Sequence, residues 1–219
     1  MDKVAIVTGA AHGLGKAFAT RLAEAGYQVM VSDVDTPSGE ALVAQLQSRS
    51  LTADFCQCDV TQREQVAALV ENAVARFGGI HVLVNNAVPP ASMSPIEEKT
   101  DTEIHSQLNG ALFAARWAMN AAFPHMKAQQ FGRIINLCSL NGVNAHPMTA
   151  DYNIAKEALR ALTRSAAREW APYGITVNAV CPGAATKAFD EMVKVAPQMA
   201  ERVNKQVPMG YMGDPYRDI

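Results

Sequence analysis

A tyrosine and a lysine stand one helical turn apart in DYNIAK, residues 151–156, within a stretch otherwise rich in alanine and leucine. Side chains at i and i+4 share a helix face, so the Tyr152 phenol and the Lys156 ammonium point into the same space. A phenol beside a cation is a general acid/base whose pKa is drawn below the usual value of about 10. An exposed lysine beside a half-buried tyrosine is the plain alternative, and the spacing alone does not choose. A second group has the chemistry of a phosphate cradle. TGAAHGLG, residues 8–15, places Gly9, Gly13 and Gly15 directly after the apolar run VAIVT and at the start of a helical pattern. Glycines there let the backbone turn sharply and approach a pyrophosphate, which then meets the N–H groups of the helix N-terminus. Asp33 ends QVMVSD, 18 positions beyond Gly15, where a carboxylate bonds the adenosine ribose hydroxyls of NAD. A 2′-phosphate meets like charge at Asp33, so NADP is disfavoured. His12, the basic residue of the loop, accommodates a phosphate when protonated but is mostly neutral near pH 7.

To bring residue 9 near residue 152 the chain needs a frame, and its patterning describes one. Short β-branched runs at 4–8, 28–33, 52–60, 81–86, 133–139 and 175–181 alternate with helical stretches at 13–26, 38–49, 61–78, about 97–130 and 149–174. Apolar residues recur at helical spacing in these stretches, as in Phe18, Leu22 and Ala25. Thr61 with Glu64 reads as a capping box, and Gly26, Gly78 and Gly174 read as helix closures. Apolar strands separated by helices predict an α/β, three-layer, doubly wound fold with a parallel sheet. No linker or low-complexity tract interrupts the pattern, so residues 1–219 read as a single domain.

Composition narrows the classes. With 219 residues, 49% of them hydrophobic, the chain can bury one substantial core. It carries 19 basic and 21 acidic residues with no basic run, which argues against a nucleic-acid partner. Cys56, Cys58, Cys138 and Cys181 sit in apolar or strand-like stretches and read as buried free thiols of a reducing compartment. The pair at 56 and 58 lacks the neighbouring ligands of a zinc site. The first residues run into an apolar strand without a basic leader, and no stretch approaches the roughly 20 apolar residues of a membrane span. A soluble, cytoplasmic protein is expected, with no membrane partner.

With the glycine pattern, Asp33 and the Tyr152–Lys156 pair in order, the sequence closely resembles the short-chain dehydrogenase/reductase family from residue 3 to its end. The resemblance implies a Rossmann-type sheet with strand order 3-2-1-4-5-6. It implies a cofactor loop of Gly9, His12, Gly13, Leu14 and Gly15, followed by Asp33 and Val34 and by an adenine contact at Asp59 and Val60. NNAV, residues 85–88, resembles the family's N-N-A-G segment, which puts Asn86 and Ala87 along the cofactor. NAVCPG, residues 178–183, resembles the segment packed on the nicotinamide, adding Pro182, Gly183, Ala185 and Thr186 to Tyr152 and Lys156 as cofactor residues. The catalytic set implied is Asn109, Ser139, Tyr152 and Lys156, with no metal. Tyr152 is the proton-transfer group, and Lys156 lowers its pKa and bonds the nicotinamide ribose. Ser139 holds the substrate oxygen, and Asn109 kinks its helix and offers a carbonyl to a relay water. His146, between serine and tyrosine, reads equally as a substrate contact or a solvated loop residue. Met192, Met199, Met209 and Met212 read equally as an adaptable pocket or as helix packing.

Three departures from the family pattern stand out. Val88 replaces the glycine of N-N-A-G. Thr186 follows Pro182 by four positions where the family threonine follows by five. The chain stops at QVPMGYMGDPYRDI, at the approach to the family's last helix, so a seventh strand is expected to be missing and strand 175–181 to form a sheet edge. Segment 184–212 is expected to form a helical flap over the substrate. The reading is an NAD(H)-dependent oxidoreductase interconverting a secondary alcohol and its ketone, as a homodimer or homotetramer. The alternatives are an NADP(H)-dependent carbonyl or 3-oxoacyl reductase, and a truncated, catalytically impaired cofactor-binding subunit.

Overall fold

A computed structural model describes residues 3–195 and 197–219. Its elements alternate as the patterning requires: β1 (Val4–Thr8), α1 (Gly13–Glu24), β2 (Gln28–Asp33), α2 (Thr36–Ser48), β3 (Ala53–Gln57), α3 (Arg63–Phe77) and β4 (Val82–Asn85). After a long loop come α4 (Asp101–Gln107), a π-helical turn (Leu108–Phe113), α5 (Ala114–Ala128), β5 (Gly132–Leu137), the short α6 (Leu140–Val143), α7 (Ala150–Trp170) and β6 (Ile175–Val180). Two further helices, α8 (Lys187–Val195) and α9 (Pro197–Gln206), occupy the segment expected to form the flap. The six strands pair in parallel in the order β3-β2-β1-β4-β5-β6.

Alternation along the strands divides the interior in two. Ile6, Met30, Leu83 and Ile134 turn to one face and meet Val66, Leu69 and Val70 of α3 and Met119 and Met126 of α5. Ala5, Val7, Val29, Val31 and Val84 turn to the other and meet Ala19 of α1 with Leu42 and Leu46 of α2. As expected, β6 is the edge: Ile175 and Val177 are buried while Thr176, Asn178 and Ala179 are exposed and Val180 is 37% exposed.

The capping box expected at Thr61 does not form. Gln62 precedes α3 without capping it by its side chain, because the Thr61 hydroxyl donates instead to Asp59 Oδ1 at 2.7 Å. The box appears at α4, where Thr100 and Glu103 satisfy each other's backbone N–H. Gly78 and Gly174 close their helical segments in the left-handed conformation, as read.

Candidate active site and cofactor cleft

A cleft of about 480 Å³ opens at the carboxyl ends of β1, β2 and β4, where the strand order reverses and open α/β sheets bind ligands. Its wall includes Gly9, His12, Leu14, Gly15, Asp33, Val34, Asp59, Val60, Asn86, Ala87 and Thr186 from the sequence-derived cofactor set. Thr186 reaches the wall despite its shortened spacing, and Val88 lies there as well. Gly13, Pro182, Gly183 and Ala185 are not part of this wall. The turn carrying the last three is pinned to the C-terminal segment: Gly213 donates to Gly183 O and Ala185 donates to Gly213 O, each at 2.8 Å.

The cradle is fixed by close backbone approach. A Cβ on Gly15 stands 2.0 Å from Gly9 O, and one on Gly9 stands 2.9 Å from Ala87 Cα, so neither position tolerates a side chain without backbone movement. Asn86 Nδ2 donates to Thr8 O (2.9 Å) and Gly9 O (3.0 Å). Thr8 Oγ1 accepts from the amides of Asn86 and Ala87. This threonine was not singled out from sequence, although it opens the TGAAHGLG motif. His12 caps α1 by its backbone alone, which leaves the early N–H groups for an anion. A pyrophosphate therefore fits the donor set present.

At the ribose end Asp33 accepts from Ala11 N (2.9 Å) and Asp35 N (3.1 Å), one bond to each oxygen. His12 is engaged by Asp35, Nε2 to Oδ2 at 2.8 Å. That hydrogen bond is the main reason the Asp35 carboxyl is held below its ordinary pKa. The Asp33 carboxylate thus lines this end of the cleft, and the loop imidazole is already partnered by Asp35.

The groups read as catalytic stand after β5 and in the first turns of α7. Ser139 caps α6, accepting from Asn141 N at 3.2 Å, and is hydrogen-bonded to Tyr152. Lys156 Nζ donates to Leu137 O at 2.6 Å and lies 5.5 Å from the Tyr152 ring centroid. It also lines, with Thr8, Asn85 and Ala87, a void of about 10 Å³ whose lining shares Val60 and Ala87 with that of the cleft. The electrostatics differ from the sequence reading. Burial pushes the Tyr152 phenol above its ordinary pKa, and the opposing pull comes from Ser139. Lys156 is itself drawn down to about 8 by burial. Its Nζ donates to a main-chain carbonyl, and the pull that opposes the upward shift of the tyrosine comes from Ser139.

Asn109 sits in the π-helical turn, where the Ala114 N–H reaches back to its carbonyl, in line with the kink implied by the resemblance. Its side chain does something the sequence did not announce, donating to Thr61 O at 3.2 Å and joining this helix to the Asp59 turn. Pro89 and Pro90 were also missed. A Cβ on Gly110 stands 2.2 Å from Pro89 Cδ, and buried Gln107 donates to the carbonyls of both prolines. Only the pairing of a proline with a helical glycine signals this, and neither residue shows it alone. The His146 carbonyl accepts from Thr149 and Asn153. The side chains of Met192 and Met199 lie outside the described residues. Met209 is 60% exposed, which does not favour a buried pocket role.

Comparison with known proteins agrees with this geometry. A family model described as short chain dehydrogenase matches residues 3–197. Over 217 residues the chain is 35% identical to L-fucose dehydrogenase of Oryctolagus cuniculus, covering 97% of this chain and 75% of that one. It is 36% identical over 201 residues to the (S)-acetoin-forming diacetyl reductase of Staphylococcus epidermidis, covering 89% and 78%. The crystal structure of NAD+-bound xylitol dehydrogenase superposes with a TM-score of 0.90 at 32% identity, covering 98% of this chain and 88% of that one. Among the described residues no helix is long and apolar enough to cross a membrane.

Proposed function

Because this chain belongs to the short-chain dehydrogenase family, we propose that it is an NAD(H)-dependent oxidoreductase that interconverts a secondary alcohol and its ketone. The observation that carries the reading is the grouping of half-buried Ser139 and Tyr152 with buried Lys156, close to a cleft lined by the glycine loop and Asp33. When bound, the nicotinamide supplies the hydride chemistry. Asp33 takes the ribose hydroxyls and sets like charge against a 2′-phosphate, while Asp35 occupies His12. That arrangement supports NAD over NADP. Ser139 holds the substrate oxygen and stabilises charge developing on it.

Tyr152 moves the proton. Its raised pKa keeps the phenol protonated near neutrality, which suits it to donate to a ketone oxygen. In the oxidising direction the phenolate is required, and the Ser139 hydrogen bond favours it. Alcohol oxidation therefore increases with pH, while ketone reduction is sustained at lower pH. Helices α8 and α9 serve as a cover over the substrate, and the faces of α5 and α7 serve a homo-oligomer. L-fucose, diacetyl and xylitol, named for the relatives, all carry oxygen on adjacent carbons. Vicinal diols and hydroxyketones are thus the first substrate class to assay.

Calorimetric titration with NADH and NADPH, followed by turnover of a panel holding L-fucose, xylitol and 2,3-butanediol with NAD, tests the proposal. Tight NADH binding, weak NADPH binding and turnover of a secondary alcohol are expected. NADPH binding as tight as NADH overturns the cofactor assignment, and no turnover by an NADH-binding chain overturns the reaction.

A further inference from the structure

The loop between β4 and α4 leaves the cleft wall at Pro89 and Pro90, and its far end is fastened to α7. Lys99 Nζ donates to Ser92 O and Ser92 Oγ, each at 2.7 Å. It also lies 2.8 Å from Asp151 Oδ1, both side chains being 1% exposed. This last approach is an ion-pair contact rather than an aligned hydrogen bond. Ser92 Oγ in turn donates to Glu103 Oε1 at 2.5 Å, which couples the pair to the capping box of α4. Ser94 N donates to Met148 O at 3.1 Å, a second bond across the same gap.

Asp151 is the residue before Tyr152 in the first turn of α7. Two charges withdrawn from water are costly unless each neutralises the other, and an apolar pair of the same volume often serves stability as well. The pair nevertheless imposes what an apolar pair does not: a fixed distance between a loop backbone and a helix start. We infer that Lys99 is a positioning residue, which by pairing with Asp151 holds the first turn of α7, and with it the Tyr152 phenol, against the loop that walls the cofactor cleft. The inference rests on the function proposed above for its kinetic consequence, but its structural consequence is independent of any substrate.

The test compares the full chain with Lys99→Met and with Lys99→Met/Asp151→Leu, the second leaving no buried charge behind. In Lys99→Met, amide exchange in segments 88–100 and 146–156 is expected to speed up about tenfold, with β1 and α1 unchanged and NADH affinity within about twofold. On an alcohol that the wild type turns over, kcat falls about tenfold or more with a smaller change in KM, since small misplacement of a reacting group has large effects. The double variant recovers the melting temperature but not kcat. Exchange that stays at the wild-type rate in both segments, or that rises evenly through the sheet, overturns the inference. So does a double variant whose kcat returns together with its melting temperature, which reduces the pair to a stability element. If the wild type turns over no alcohol, the proposed reaction fails, and the localisation of exchange still decides for or against the clamp.

Discussion

At the β1–α1 end of the cleft the contacts that shape the site converge on the backbone: Gly15 lies against Gly9 O, Gly9 against Ala87 Cα, and the side chains of Asp33 and Asn86 hold main-chain amides and carbonyls of the loop. At the β5–α7 end they run between buried side chains and distant carbonyls, as when Lys156 reaches Leu137 O and Lys99 meets Asp151. On the proposed function the first end receives the phosphates and hydroxyls of a dinucleotide, for which it presents main-chain N–H groups and space. On the proposed function the second holds one titratable hydroxyl in place, and half-buried Tyr152 stands there beside Ser139 and buried Lys156. A change at the first end is therefore felt as lost binding, and a change at the second as lost chemistry.

The largest separation of the two ends comes from Tyr152→Phe. Removing the phenolic hydroxyl takes away the proton-transfer group and leaves the cradle untouched. Turnover is expected to fall about a thousandfold, within the range that general acid/base groups contribute, while NADH affinity by calorimetry changes less than about threefold. A comparable loss of both merges the two ends into one unit, and retained turnover removes Tyr152 from the mechanism.

The electrostatic character of the catalytic end is measured through Lys156. Its folded pKa of about 8 lies below the ordinary lysine value of 10.5. Between those two values the unfolded chain binds more protons than the folded one, so this group makes stability rise with pH across that window. Relative to Lys156→Met, the wild type should gain about 2–3 kcal/mol between pH 7.5 and 10 in urea unfolding. Tyr152, shifted upward, has the opposite sign and erodes stability only above its ordinary value of about 10, which sets the upper limit of the experiment. Parallel stability curves for the two chains contradict a lowered pKa of Lys156.

The steric character of the cofactor end is measured through Gly15→Ala. The added methyl meets Gly9 O at 2.0 Å, and relief requires the loop to shift. A cost of about 2 kcal/mol is expected, read as weaker NADH binding and a lower melting temperature, with kcat at saturating cofactor affected least.

What was legible in the sequence follows the same division. The glycine loop and Asp33 could be read because local backbone requirements leave local marks, a glycine where no Cβ fits and an acid at a strand end; the apolar runs marked the strands, while their order came from the family resemblance. Tyr152 and Lys156 were legible as a helical pair, but the lysine's effect was not. Its effect depends on Leu137 O and on burial, both set by β5 packing far along the chain. Lys99, Gln107 and the Asn109–Thr61 bond left no mark, since each acts through a partner dozens of residues away or across a loop. The capping box misread at Thr61 is the small-scale version, a local motif overridden by the nearer acceptor Asp59.

Asp33 is the residue on which the division itself is smallest and most instructive. Its carboxylate both ties the glycine loop to β2 and faces the cleft, so its worth for cofactor choice and its worth for loop structure are superimposed. Asp33→Asn separates them. The amide oxygen can still accept from Ala11 N, whereas the amide nitrogen cannot accept from Asp35 N, and the negative charge is gone. If charge governs selection, NADH affinity should fall about tenfold, the size of a lost charge-assisted bond. NADPH affinity should hold or improve, because a 2′-phosphate no longer meets the Asp33 carboxylate. If Asp33 serves only the loop, both cofactors should weaken by the same factor, since both depend on the same backbone cradle. The ratio of the two affinities, rather than either alone, tells recognition from architecture at this end of the cleft.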